Sequence, residues 1–151
     1  MSDYISSEVE KIIHDKKLIP PENFVMATAW ILGNLKGINL KIIDVRNVST
    51  ITDYFIIASA TNIVQASAMA DAVSGTFKKL GQFCKNKEGK DQSDWVLLDF
   101  DNYIVHIFLE SARYDYDLDS LWGQCPIIPI PQNYYFSSPE GNQGKSDKGY
   151  F

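Results

Sequence analysis

The stretch from Asp94 to Leu109 constrains the fold more than any other part of the chain. Asp94-Trp95-Val96-Leu97-Leu98-Asp99-Phe100 and Tyr103-Ile104-Val105-His106-Ile107-Phe108-Leu109 are apolar runs rich in β-branched and aromatic residues. Between them Asp101 and Asn102 both tolerate a left-handed backbone, which predicts a β-hairpin closed by a primed turn. One face of such a hairpin must serve a core. A tryptophan at its open end is large enough to anchor a partner.

The rest of the chain builds around that hairpin. Ile5, Val9, Ile12 and Ile13 share one helical face, and Pro20-Pro21 stops that helix because proline lacks the amide donor. Phe24, Ala27, Ile31 and Leu35 recur at helical steps after Pro21, with Gly37 as the expected stop. Leu40 to Val45 and Tyr54 to Ala58 read as strands. The link between them is too short for a helical crossover, so they should be antiparallel neighbours. Asn62 is the expected cap of a long helix from Ile63 to Leu80, striped by Ala66, Ala70, Val73 and Phe77 and ended by Gly81. Phe83 to Lys87 reads as a short strand, and Asp117 to Trp122 as a short helix.

The sum is an α/β domain, a five-stranded mixed sheet with flanking helices, over residues 22–123. Residues 1–21 form a helical N-terminal extension. From 124 to 151, prolines and glycines describe a tail unable to pack much core, although Tyr134, Tyr135 and Phe136 are available to fold back.

Composition narrows the function classes. A formal net charge of −5 argues against sequence-blind binding to a phosphate backbone. An acidic domain can still meet nucleic acid indirectly, by docking on a basic protein. No apolar run is long enough for a membrane span, and the N-terminus lacks the basic start of a secretion signal. Cys84 and Cys125 sit far apart, which fits two small apolar residues in a reduced cytosolic setting. An organellar address is not expected, because the N-terminus carries acids and is not arginine-rich.

Chemistry-bearing motifs are scarce. There is no glycine-rich phosphate loop and no G-x-S-x-G elbow. His14, His106, Cys84 and Cys125 lack metal-ligand spacing, so no metal or cofactor is expected. His106 alternates with Ile104 and Phe108, the pattern of a half-buried structural donor. Asp44, Asp53 and Asp99 at strand ends are the residues a minimal magnesium-dependent nucleotidyl transferase would use. The paired D-x-D or D-x-E of such enzymes is absent, however, since Val45-Arg46 follows Asp44 and Tyr54-Phe55 follows Asp53. Asp53 is expected to organise its turn, and Asp99 and Asp101 to shape the hairpin tip.

Several blocks occur in a telling order: Ile43-Asp44-Val45-Arg46, Thr52-Asp53-Tyr54-Phe55-Ile56-Ile57-Ala58-Ser59, Glu88-Gly89, Trp95-Val96-Leu97-Leu98-Asp99-Phe100, Val105-His106-Ile107-Phe108 and Tyr116-Asp117-Leu118-Asp119-Ser120-Leu121-Trp122. This succession, from about Asn23 to Gly123, closely resembles the ribosomal silencing factor (iojap-like) family. The resemblance implies a nucleotidyl-transferase-like fold without the activity, frequent homodimers, and binding to a protein of the L-fourteen type on the joining face of the large ribosomal subunit. Occupying that face keeps the small subunit away and lowers translation when nutrients are scarce; organellar relatives assist large-subunit assembly. Relatives commonly have glycine at the position of Ala60, an arginine within the entry Asn62-Ile63-Val64-Gln65, and Gly-Asp in place of Asp101-Asn102.

By that resemblance Trp95 is the expected central anchor for the partner. Leu97 and Asp99 share its strand face, and Asp94 and Glu88 are placed to meet basic residues of a ribosomal protein. Arg113, Tyr116 and Trp122 match the C-terminal block, where Leu118, Leu121 and Trp122 are expected to pack on the sheet.

Overall fold

The computed structural model describes residues 3–89 and 93–135. The polar approach through Asp91 and Gln92, and the tail from Phe136, lie outside the described residues. In chain order come helices α1 (Asp3–Ile13) and α2 (Glu22–Asn34), strands β1 (Ile38–Asp44) and β2 (Tyr54–Ala60), and helix α3 (Ile63–Lys79). There follow β3 (Asn86–Glu88), β4 (Trp95–Asp99), β5 (Tyr103–Leu109), α4 (Glu110–Tyr116), α5 (Leu118–Leu121) and β6 (Ile127–Ile128). Among the described residues the sheet has six strands in the order β3-β4-β5-β2-β1-β6, with β2 and β5 parallel and the other pairs antiparallel.

The sixth strand corrects the expected five. Ile127 and Ile128 pair with Ile43 and Ile42, but two residues bracketed by Pro126 and Pro129 are too few to show any alternation. The segment does more than pair. Ile128, Ile130, Tyr134 and Tyr135 pack against the main core, and the Tyr135 hydroxyl donates to the Leu40 carbonyl at 3.2 Å.

Side-chain alternation gives the sheet two unequal faces. Ile42, Ile56, Ala58, Val96, Leu98, Val105 and Ile107 point to the face covered by α2 and α3, with α1 packed behind through Ile5 and Val9. Ile43, Phe55, Ile57, Ile104 and Phe108 point the other way, under the shorter α4, α5 and Trp122. Strand β2 is buried on both sides along its whole length, so it reads as a continuous apolar run, as a central strand beside a parallel neighbour does. Helix α2 is likewise buried nearly all round, from Val25 to Gly33, so the stripe of Phe24, Ala27, Ile31 and Leu35 understated its burial.

The helix ends show what the punctuating residues do. Asn62 caps α3, its side-chain oxygen accepting from the Gln65 amide at 2.8 Å. The Gln65 carboxamide accepts from the Thr61 amide and donates to the Leu35 and Lys36 carbonyls, at 2.8, 3.0 and 3.1 Å. One side chain thus ties the start of α3 to the end of α2. Gly81 closes α3 in the left-handed conformation, φ +84°. At the end of α2, Lys36 takes that conformation instead, φ 68°. The Gly37 amide then donates to the Leu32 carbonyl at 2.8 Å and that of Lys36 to Gly33 at 2.9 Å, a Schellman closure. Gly37 is required for a different reason: a Cβ there would stand 2.7 Å from the Leu32 oxygen.

Gly33 offers a test of how the segment after β6 is seated. A Cβ at this position would strike the Tyr134 carbonyl. Alanine is the better helix former by about 1 kcal/mol, yet Gly33→Ala is expected to lower stability by about 1–3 kcal/mol because backbone cannot yield as a side chain does. A thermal midpoint equal to or above that of the wild type would show that 132–135 does not lie on α2.

Candidate functional site

The second face of the sheet is only partly roofed, and the hairpin supplies its open part. The β4–β5 register pairs Trp95 with Phe108, Leu97 with His106, and Asp99 with Ile104. Trp95, Leu97 and Asp99 therefore share this face, and all three are half-buried. Glu88 lies opposite Leu97 on β3 and is exposed, so it extends the same row outward. Asp94 is exposed at the strand's end and falls on the opposite alternation; its carbonyl accepts from the Leu109 amide at 2.9 Å. Four of the five expected residues thus sit on one face, with Asp94 at its corner.

Trp95 is held by a layer of rings. Its indole stacks with Phe108 at 4.9 Å between centroids and tilts against Tyr116 at 4.6 Å. Tyr116, on α4, is still 53 % exposed. The indole Nε1–H donates to Nδ1 of His106 at 3.1 Å. The expected half-buried donor is therefore a buried acceptor: His106 is 4 % exposed. Burial pushes its pKa down to about 4, which leaves the imidazole neutral at pH 7. With Nδ1 accepting, the ring proton sits on Nε2, and that buried nitrogen has no hydrogen-bond partner among the described residues.

This pairing was missed from sequence although a signal existed. A two-residue turn at Asp101-Asn102 pairs Phe100 with Tyr103, and counting outward puts His106 opposite Leu97 and diagonal to Trp95. The turn itself departs from expectation. Only Asp101 has a positive φ, 79°, and the Asn102 amide donates to the Phe100 carbonyl at 3.0 Å, the three-residue bond of a γ-turn. Asp99 shapes the tip, accepting from the Asp101 amide at 2.8 Å.

A second polar cluster fixes the roof. Arg113 on α4 is 6 % exposed. Its guanidinium donates through Nε and Nη2 to both Asp119 oxygens, at 3.1 and 3.0 Å, and through Nη1 to the Asn39 carbonyl and the Ser59 hydroxyl, at 2.6 and 3.1 Å. Lys41 also pairs with Asp119, at 2.7 Å. Burial alone would raise the Asp119 pKa, but these hydrogen bonds outweigh it and hold the carboxyl at about 2. Leu118 and Trp122 pack on the second face as expected. Leu121 does not; it is 71 % exposed, because four residues of α5 cannot turn every apolar side chain inward.

The strand-end aspartates do not converge. Asp44 on β1 forms a two-pronged pair with Arg46, at 2.9 and 2.7 Å, and that partner lowers its pKa. Strands β5 and β2 separate β1 from β4, three spacings or roughly 14 Å from Asp44 to Asp99. The turn before β2 is organised by Ser49, whose hydroxyl accepts from the Ile51 and Thr52 amides at 3.1 and 3.3 Å, a role expected of Asp53. Among the described residues no group of three or more His, Cys, Asp or Glu side chains is placed to hold a metal ion. Cys84 and Cys125 are both free thiols.

The family model described as ribosomal silencing factor during starvation matches residues 19–149. The chain belongs to the ribosomal silencing factor family. Its similarity to the ribosomal silencing factor of Haemophilus influenzae is 42% identity over 99 residues, 66% of this chain and 94% of that protein. A mouse relative named for mitochondrial assembly of the ribosomal large subunit is 36% identical over 76 residues, 47% of this chain and 32% of its own. A crystal structure of a Chromobacterium violaceum protein shares the fold at a TM-score of 0.62 and 25% identity, covering 83% of this chain and 92% of that one. What this chain shares with that structure is the mixed α/β sheet with flanking helices. Among the described residues no helix is long and apolar enough to cross a membrane.

Proposed function

We propose that this chain silences ribosomes by occupying space. Its half-roofed sheet face docks on the large subunit, on a protein of the L-fourteen type, and the small subunit is then excluded from the same surface. No chemistry is needed. A factor that binds one of two competing states shifts the balance by mass action. The observation that carries the reading is the placement of Trp95 and Leu97, half-buried, beside exposed Glu88 and Asp94: an apolar centre with an acidic rim, the organisation of a protein-binding patch.

On this reading the nucleotidyl-transferase-like sheet is a scaffold without the activity, the protein works in the cytoplasm without a cofactor, and a homodimer is a further association of the same domain. Residues 22–123 carry the docking face, with helix α1 and the segment 127–135 packed onto the same core. The family membership and the Haemophilus influenzae relative support the silencing role; the mouse relative's name supports the large subunit as the particle concerned.

Cosedimentation with purified large subunits tests it. The wild type is expected in the pellet, and Trp95→Glu is expected to bind at least about thirtyfold more weakly, the loss of a hot-spot anchor. Equal pelleting of the two would remove Trp95 from the interface. A wild type that stays in the supernatant would overturn the ribosomal reading, and binding of magnesium with a nucleotide would favour the enzyme instead.

A further inference from the structure

The indole of Trp95 has a single hydrogen-bond donor, and the fold has already used it. Nε1–H points to Nδ1 of His106 at 3.1 Å. That acceptor stands on a central strand, packed edge-on against Phe55 at 5.0 Å and parallel to Phe108 at 6.1 Å. A side chain so enclosed has one orientation. The indole, fixed at its nitrogen by His106 and along its rings by Phe108 and Tyr116, is pre-set before any partner arrives.

We propose that His106 is the positioning residue of the docking face: its Nδ1 locks Trp95 in the rotamer that a partner meets, and it leaves the ring surface, not the N–H, as the group recognised. The inference rests on the docking role of Trp95 proposed above. Its cost is visible in the fold, since Nε2 of His106 is buried with no hydrogen-bond partner among the described residues. A core built only for stability would place an apolar ring at this position, because an unpaired buried polar atom is destabilising. Rigidity at an anchor has a return in binding, where ordering a mobile side chain would otherwise oppose association.

The chemistry of the expected contact follows. With its donor engaged, Trp95 offers a partner only π surface and apolar edge. Arg113 is the only lysine or arginine between residues 93 and 121, and it is turned inward onto Asp119. The matching group is therefore a cationic or aliphatic side chain laid on the indole, not a hydrogen-bond acceptor.

Two substitutions separate positioning from mere packing. His106→Phe keeps a ring of similar size and removes both nitrogens. His106→Asn keeps an acceptor near the Nδ1 position and loses ring packing. The direct readout is the indole N–H resonance of Trp95 in ¹⁵N-labelled protein, assigned by its loss in Trp95→Phe. It is expected to be shifted and slow to exchange in the wild type and in His106→Asn, and ordinary and fast-exchanging in His106→Phe. Binding to large subunits should follow the resonance and not the stability. His106→Phe stays folded by circular dichroism yet binds about tenfold more weakly, the worth of one hydrogen bond, and His106→Asn binds within about threefold of wild type.

An indole resonance identical in wild type and His106→Phe would refute the hydrogen bond. A resonance that changes while subunit binding does not would refute the positioning role. Either result leaves the docking reading standing so long as the wild type pellets; if the wild type fails to pellet, it is that reading that has failed.

Discussion

Arg113→Ala is expected to destabilise the domain by about 3–5 kcal/mol, the usual consequence of removing one member of a buried charge pair. The loss is large because the guanidinium joins three groups from three parts of the chain: the Asp119 carboxylate on α5, the Asn39 carbonyl on β1 and the Ser59 hydroxyl on β2. Without it, Asp119 keeps Lys41, and the Asn39 and Ser59 oxygens lose the Arg113 donor. Arg113→Lys should recover little, because an ammonium cannot reproduce the planar fork. Urea titration of the three proteins checks this. The roof is differently held if Arg113→Ala shifts stability by less than about 1 kcal/mol, the scale of an exposed ion pair. Because α4 carries Tyr116, the same variant should also loosen Trp95 and weaken large-subunit binding.

Mild acid should cost the wild type about 3 kcal/mol that His106→Phe does not lose. Burial holds the His106 pKa at about 4 in the fold, against 6.5 as its ordinary value. The unfolded chain therefore binds more protons between those two values, and stability falls as the pH drops through that window. The contribution is fully present above pH 6.5 and fully lost below about pH 4. Protonation would also take Nδ1 out of service as an acceptor for Trp95. Unfolding free energies of wild type and His106→Phe, measured from pH 7.5 to 4, should diverge below pH 6.5, with the carboxylates common to both cancelling in the difference. Parallel curves would show that the imidazole is not sealed from water.

Much of this architecture was legible because local and global signals agree. Asn62 before a three-and-four stripe is a helix start by capping chemistry and by burial alike, and the structure has both. The hairpin had apolar runs of the right length around two turn-tolerant residues. What escaped has no local signature. The segment of α4 offers only Ala112 and Arg113 to the interior, so no apolar stripe announces it; its inward face is an ion pair completed by residues distant in sequence. β6 is two residues held by an edge that β1 provides. At the site, Trp95 could be singled out as a candidate anchor because its strand and its family block are distinctive. His106 looked like an ordinary strand residue because its partner is set by register across two strands.

The pairing of Ile42 and Ile43 with Ile128 and Ile127 has a consequence for manufacture. β1 emerges early during synthesis, while the short strand that covers its outer edge is made only after every other strand. Until residues 127 and 128 have left the ribosome and paired, the chain displays an uncovered border of β1, the kind of border onto which a stray strand adds itself. The newborn polypeptide is thus most prone to clumping before that segment docks, and two isoleucines end that exposure.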